Sequence, residues 1–364
     1  MFMKELRTKE VIEWIKNSDK ICVIFHIDTD GITSAYLFTR LVEKLGKNVE
    51  RFYASPASSF NKKLYDKVKD YDLVVFLDLS IDHNTKYINL LSEGSRVVII
   101  DHHTLRQDLN SDRIIHISTK FLTDKYYPNA YFVYNLFRDY LKEYDWIAAI
   151  GLIGDGGARF YPDFMRSVLK RLGMEEGKDE NFQDTKLGYY DILLGSARMY
   201  SGGRGALKAL KILLECNSPE EFEDNSSILK TWHKKVRREL EAKINVFRRN
   251  ARKVGKLMYY HFSKPIYNIG SPLSTILCKE FPHNLIVITV DVNQTTTKVH
   301  AKSHTGEFNT YEILEKCVPN LKGATFGGHV QASGGSFDSK ELKKFEECLF
   351  TIAKNLKPKE IKES

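Results

Sequence analysis

Long apolar runs are missing from this 364-residue chain. No uninterrupted apolar segment approaches the ~20 residues that span a bilayer. The opening Met1-Phe2-Met3-Lys4-Glu5-Leu6 lacks the apolar core of a secretory signal. Both absences lead to the expectation of a cytoplasmic protein with no membrane partner. Cysteine is scarce: Cys22, Cys216, Cys278, Cys317 and Cys348 are scattered, with no close pair. That spacing excludes a zinc pattern, and an odd number argues against a disulfide framework, so reduced, mostly buried thiols are expected. There is no long internal repeat and no low-complexity tract. No aromatic stacking platform or 2′-hydroxyl reader stands out, so the sequence does not separate DNA from RNA. The pairs Tyr126-Tyr127, Tyr189-Tyr190 and Tyr259-Tyr260 fit base stacking and core packing equally well.

What is present is an ordinary globular composition, 42% hydrophobic and 28% charged, over a length that accommodates two domains. The net charge of +8 suits a polyanionic partner, and a surface excess of lysine accounts for it equally. Residues 1–17 read as an amphipathic helix. Strands at 21–27, 49–53, 73–78 and 96–100 then alternate with helical stretches at 33–45, 60–69 and 84–92. Alternation of this kind predicts an α/β fold with a doubly wound parallel sheet. Residues 129–153 read as helical, 173–186 as a polar loop and 217–227 as a break. Trp232, Val236, Leu240, Ile244, Phe247, Ala251 and Val254 then form one apolar stripe at helical spacing. Residues 230–256 hold eleven Lys or Arg against two Glu, a basic face that would flank a nucleic-acid cleft or simply be solvated. From 256 onward, strands at 257–262, 284–291 and 296–303 and helices at 272–280, 310–316 and 340–354 predict a smaller mixed-sheet α/β domain. The expected division is 1–215, a helical linker 216–255, and 256–364.

Chemistry gathers where apolar runs end. Ile21-Cys22-Val23-Ile24-Phe25 leads into His26-Ile27-Asp28-Thr29-Asp30-Gly31, Leu73-Val74-Val75-Phe76-Leu77 into Asp78, and Arg96-Val97-Val98-Ile99-Ile100 into Asp101-His102-His103. A further acid follows in Gly154-Asp155-Gly156-Gly157. Sites in open parallel sheets form beyond the carboxyl ends of strands. So many carboxylates in one crevice would repel one another unless cations bound there. His26, Asp28 and Asp30 stand at alternate positions, which an extended strand would aim the same way. Taken singly, Asp30 reads as a helix cap and Asp78 as the cap of a turn. As an ordered set they read as metal ligands. Adjacent His102 and His103 would face opposite ways, one toward metal and one toward substrate.

This ordered set resembles the four motifs of the DHH phosphoesterase superfamily. Gly327-Gly328-His329-Val330-Gln331-Ala332-Ser333-Gly334-Gly335 resembles the signature of the DHH-associated C-terminal domain. The order and length are most similar to archaeal RecJ-like nucleases and oligoribonuclease-type phosphodiesterases, and there is no room for the added OB-fold of bacterial RecJ. The resemblance implies two divalent cations, Mn²⁺ preferred or Mg²⁺. His26, Asp28 and Asp78 would hold one; Asp30, Asp78, His102 and Asp155 the other. Asp101 would orient the histidines and His103 would touch the scissile phosphate. Arg198, in Ser196-Ala197-Arg198-Met199-Tyr200-Ser201-Gly202-Gly203-Arg204-Gly205, would pair with a phosphate or simply sit on a surface turn; Arg204 is weaker. Gly327, Gly328, His329, Ser333, Gly334 and Gly335 would clamp a nucleotide across a cleft from the metals. The implied function is single-stranded DNA or RNA exonuclease activity in repair or replication. Rivals are an oligoribonuclease or small-nucleotide phosphodiesterase, and a replication scaffold partnering the GINS complex. Inorganic pyrophosphatase shares only the first domain's motifs.

Overall fold

The computed structural model describes residues 7–54, 60–83, 85–177, 181–356 and 358. The expected N-terminal helix is α1 (Thr8–Lys16); positions 1–6 of that expectation lie outside the described residues. The chain divides into two compact units, Met1–His233 and Lys234–Ser364.

The first unit is built on β1 (Ile21–His26), β2 (Val49–Ala54), β3 (Leu73–Leu77), β4 (Arg96–Asp101) and β5 (Ile114–Ser118). All neighbours pair in parallel, in the order β2-β1-β3-β4-β5. The central strands are apolar on both faces because both faces are covered. Ile21, Val23, Phe25, Leu73, Val75, Leu77, Val98 and Ile100 join one core; Cys22, Ile24, Val74, Phe76, Val97 and Ile99 join the other. The larger core takes α1 and α2 (Thr29–Lys44). It also takes α5 (Asn129–Leu136), α6 (Arg138–Leu141), α7 (Asp145–Gly154), α8 (Pro162–Arg171), α9 (Lys186–Leu214) and α10 (Pro219–Asn225). The smaller core takes α3 (Lys62–Val68) and α4 (Lys86–Gly94). Strand order reverses between β1 and β3, and a crevice opens beyond their carboxyl ends at such a point.

Several boundaries differ from the sequence reading. Helix α2 begins at Thr29 rather than 33, because Asp28, not Asp30, is the cap: its Oδ1 accepts from Gly31 N at 3.0 Å. The stretch 129–153 is three short helices joined by a tight turn at 142–144. Strand β5 and helices α8 to α10 went unassigned, and α10 occupies the expected break at 217–227. The basic helix α11 (Ser227–Asn250) stops before Ala251 and Val254. Residues Arg252–Val254 instead form β6, paired antiparallel with β7 (Leu257–Ser263), so sheet hydrogen bonding outcompetes the helical stripe there.

The second unit carries the mixed sheet β10-β11-β9-β8-β7-β6, with β8 (Leu285–Asp291), β9 (Thr296–Ser303), β10 (Thr325–Gly328) and β11 (Ala332–Asp338). Only β7 and β8 are parallel, joined through α12 (Gly270–Glu280). Helices α13 (Thr310–Cys317) and α14 (Leu342–Lys354) share the core of the other face. Cys317 and Cys348 form a disulfide between these two helices, which corrects the expectation of five reduced thiols. Helix packing brings together two cysteines that are 31 positions apart in sequence. Cys22, Cys216 and Cys278 are free and buried. No helix among the described residues is long and apolar enough to cross a membrane.

Candidate metal centre

Three neighbouring strand ends supply the first donors. His26 closes β1, Asp78 follows β3, and Asp101 closes β4 with His102 and His103 behind it. His26, Asp28 and Asp30 do not share one extended strand as expected. Only His26 is in β1, Asp28 is the extended cap, and Asp30 lies in the first helical turn. They converge nonetheless, because the chain turns sharply at Gly31. A Cβ there would stand 2.1 Å from the His26 carbonyl oxygen.

Asp78 is the centre of the arrangement. It is 2% exposed and adopts φ 60°, a left-handed conformation that few residues other than glycine, asparagine and aspartate tolerate. Its Oδ2 lies 3.6 Å from His26 Nδ1, and its Oδ1 lies 3.2 Å from His102 Nε2 and 3.9 Å from His103 Nδ1. His26 Nδ1 is also 2.7 Å from Asp28 Oδ2. On the other side, His102 Nε2 is 3.6 Å from Asp155 Oδ2 and 3.9 Å from Asp30 Oδ2. Two donor groups therefore share Asp78. Its buried Oδ1 accepts no hydrogen bond among the described residues, the condition of a carboxylate oxygen shaped for a cation. Carboxylates mixed with imidazoles suit Mn²⁺ or Mg²⁺ rather than a thiolate-bound metal.

His102 and His103 do not point apart. Their rings are 4.5 Å apart and inclined at 55°, because the chain leaves extended geometry after β4. His102 is buried among carboxylates, whereas the His103 side chain is 41% exposed. Asp101 Oδ1 holds His103 Nδ1 at 2.8 Å, which leaves the outer face of that ring toward solvent. Asp30 is as enclosed as Asp78. Its oxygens accept the Asn129 and Ala130 N–H groups at 2.7 and 2.8 Å, so the first turn of α5 anchors it.

Protonation follows this crowding. Burial, reinforced by Asp78 and Asp155, drives the Asp30 carboxyl well above its ordinary range. Burial outweighs the opposing His102 charge and lifts Asp155 to about 6. Burial lowers the histidines, but carboxylates override it. Asp28 and Asp78 raise His26, Asp78 raises His102, and Asp101 pushes His103 to about 10. Burial likewise opposes ionisation of Asp28 and Asp101, yet His26 and His103 hold them below the usual carboxylate range.

Arg198 lies half-buried on α9, and its charge contributes to lowering Asp28. Arg204 also lies on α9, beyond a kink at Ser201–Gly202. In the second unit, the glycine-rich signature is a hairpin rather than a bare phosphate loop: Gly327 pairs with Gly334 and Gly328 with Ser333 across β10 and β11. His329 is exposed at its tip. The Ser333 hydroxyl is buried and donates to the His329 carbonyl at 3.0 Å, with Thr310 Oγ1 at 2.9 Å, so it pins the tip. Gly335 sits beneath Thr325, whose carbonyl oxygen a Cβ would meet at 2.4 Å.

Sequence reasoning missed two residues. Asp191 on α9 accepts from Thr29 Oγ1 at 2.7 Å beside the start of α2, and burial raises its carboxyl. Tyr126 was noted only as one of a tyrosine pair, yet its hydroxyl donates to Asp155 Oδ2 at 2.5 Å. Neither has a local sequence signal; each meets its partner through tertiary packing.

A parallel α/β unit with shared carboxylate and imidazole donors at its switch point defines a metal-dependent hydrolase. Residues 20–154 match the model of the DHH family, N-terminal domain, so this segment is a DHH domain. No curated protein matches the chain. Among solved structures, it is similar to an exonuclease RecJ bound to manganese (18% identity, TM-score 0.69, covering 98% of this chain and 96% of that one). It is also similar to RecJ from Thermus thermophilus in complex with Mn²⁺ (18%, TM-score 0.73), covering 98% of this chain and 56% of the other. A third likeness is to CDC45 from Entamoeba histolytica (12%, TM-score 0.63), covering 95% and 98%. At these identities the likenesses establish the shared two-part fold.

Proposed function

We propose that the chain is a two-metal phosphodiesterase that hydrolyses single-stranded nucleic acid from an end. The observation that carries this reading is Asp78, shared between the His26–Asp28 group and the group containing His102. His26, Asp28 and Asp78 would hold one divalent ion, and Asp30, Asp78, His102 and Asp155 the second, with Mn²⁺ the preferred metal. When bound, such a pair activates water and stabilises both the attacking and the leaving oxygen of an in-line displacement. The chain's own residues do the rest. Asp101 fixes His103 through Nδ1, so the imidazole presents Nε2 to a phosphate oxygen. Arg198 would pair with a phosphate of the strand. Residues 256–364 would bind the strand, with the hairpin tip at His329 as the contact. The RecJ structures, described as an exonuclease and as bound to manganese, support this substrate class and metal.

A scaffold role like that suggested by the CDC45 likeness has the fold alone behind it. The intact donor set favours hydrolysis.

The test is digestion of end-labelled DNA and RNA strands, two to thirty nucleotides long, in Mn²⁺, beside Asp78→Asn. Asparagine keeps the left-handed backbone that Asp78 occupies, so this variant separates chemistry from folding. A ladder from long strands that Asp78→Asn slows at least 100-fold supports the reading. Cleavage confined to the shortest oligomers moves it to a small-nucleotide phosphodiesterase. No cleavage with metal bound refutes it in favour of the scaffold.

A further inference from the structure

Aromatic surface comes right up to the metal centre, and the donor set uses the Tyr126 hydroxyl but not the rings. Tyr126 is held at both ends. Its hydroxyl donates to Asp155 Oδ2 at 2.5 Å and to the Asp155 carbonyl at 3.1 Å, and its own carbonyl accepts from the Tyr161 hydroxyl at 2.9 Å. Its ring stands edge-on to His102, 5.7 Å between centroids. Phe160 comes next, its ring 5.9 Å from that of Tyr126 and inclined at 57°. Phe160 is 49% exposed, more than any other large hydrophobic described in the first unit. A phenyl ring so placed contributes little to the core. The Arg159 guanidinium lies over it, 4.8 Å from the centroid. The neighbouring tyrosine behaves differently: half-buried Tyr127 stacks on Tyr131 against the larger core.

We propose that Phe160, backed by Tyr126, is a stacking wall for the nucleobase adjacent to the scissile phosphate. The proposal rests on the phosphodiesterase reading and narrows its substrate to strands with unpaired bases. A phosphate held at the carboxylates carries its base one sugar away. The rings of His102, Tyr126 and Phe160 lead outward from the donors in centroid steps of 5.7 and 5.9 Å. An aromatic face accepts any base, so the wall gives grip without sequence preference, and Arg159 adds a cation beside the stack. Paired bases have both faces covered by neighbours and cannot use it. Pyrophosphate and other base-free phosphates have nothing to place there.

The test reads binding rather than turnover. The full-length protein is titrated calorimetrically in Ca²⁺ with a thymidine hexamer and with a hexamer of abasic residues, using the wild type, Phe160→Ala, Phe160→Leu and Phe160→Trp. A stacked base is worth about tenfold or more in affinity. Phe160→Ala and Phe160→Leu should weaken the thymidine hexamer about tenfold and the abasic one less than twofold, while Phe160→Trp retains the preference. Losses equal on both strands, or absent from both, overturn the wall and leave the phosphodiesterase reading standing. Leucine binding as well as phenylalanine reduces the contact to apolar bulk and also overturns it. Failure of the wild type to bind either strand overturns both proposals.

Discussion

Tyr126 acts on Asp155 before any substrate arrives. Its hydroxyl fixes a carboxylate that burial has already lifted to about 6, and so helps set where that oxygen points. Groups that orient metal ligands typically contribute 10–100-fold in affinity. Tyr126→Phe is therefore expected to weaken Mn²⁺ binding about tenfold with an unchanged melting temperature, as calorimetric titration and a thermal melt would show. At this scale, legibility in the sequence depended on position. His26, Asp78 and the Asp101-His102-His103 triplet end apolar strands and stand out as chemistry. Asp155 follows a helix and was legible only as part of an ordered set. Tyr126 and Asp191 lie in a loop and a helix whose patterns say nothing of their partners 29 and 162 residues away.

Among the elements, α9 carries a feature that its sequence half disclosed. Ser196-Ala197-Arg198 runs into a glycine-rich stretch that reads as a turn between helices, and the chain does bend there, at Ser201 and Gly202. Gly202 takes φ 57° and ψ −138°, a region essentially closed to side chains. Gly202→Ala should cost about 1–3 kcal/mol, measurable as a lower urea midpoint at unchanged slope. An unchanged midpoint would show that the kink relaxes freely. Strands β1, β3 and β4 were legible because burial on both faces leaves unbroken apolar runs. Strand β5 was not, because His116 interrupts its short run. The end of α11 was misread because Ala251 and Val254 continue the helical stripe while their backbone turns toward β7.

For the whole molecule, the candidate metal centre couples stability to pH. Without metal, Asp30, Asp155, His26 and His102 all have folded pKa values above their ordinary ones. Groups shifted upward favour the fold at low pH and lose that contribution as pH rises through the folded value. Asp28 and Asp101, shifted downward, lose theirs only as pH falls below the usual carboxylate range. The metal-free protein should thus be most stable near about pH 4 and weaken progressively above it. Cations replace those protons, so Mn²⁺ should raise the melting temperature more at pH 8 than at pH 5.5, relative to EDTA. Scanning calorimetry at the two pH values checks this; an equal or reversed gain would show that protons do not stand in for the metal. The parallel sheet has a final consequence, for synthesis on the ribosome. Its donors are spread from His26 to Asp155, and β1 finds its inner neighbour β3 only after β2, its neighbour on the other side, has been made. Half a nascent domain therefore offers at most the His26, Asp28 and Asp78 group, and the group of Asp30, His102 and Asp155 is complete only once the chain has passed α7. Filling of that second group would mark finished domains and pass over partial ones.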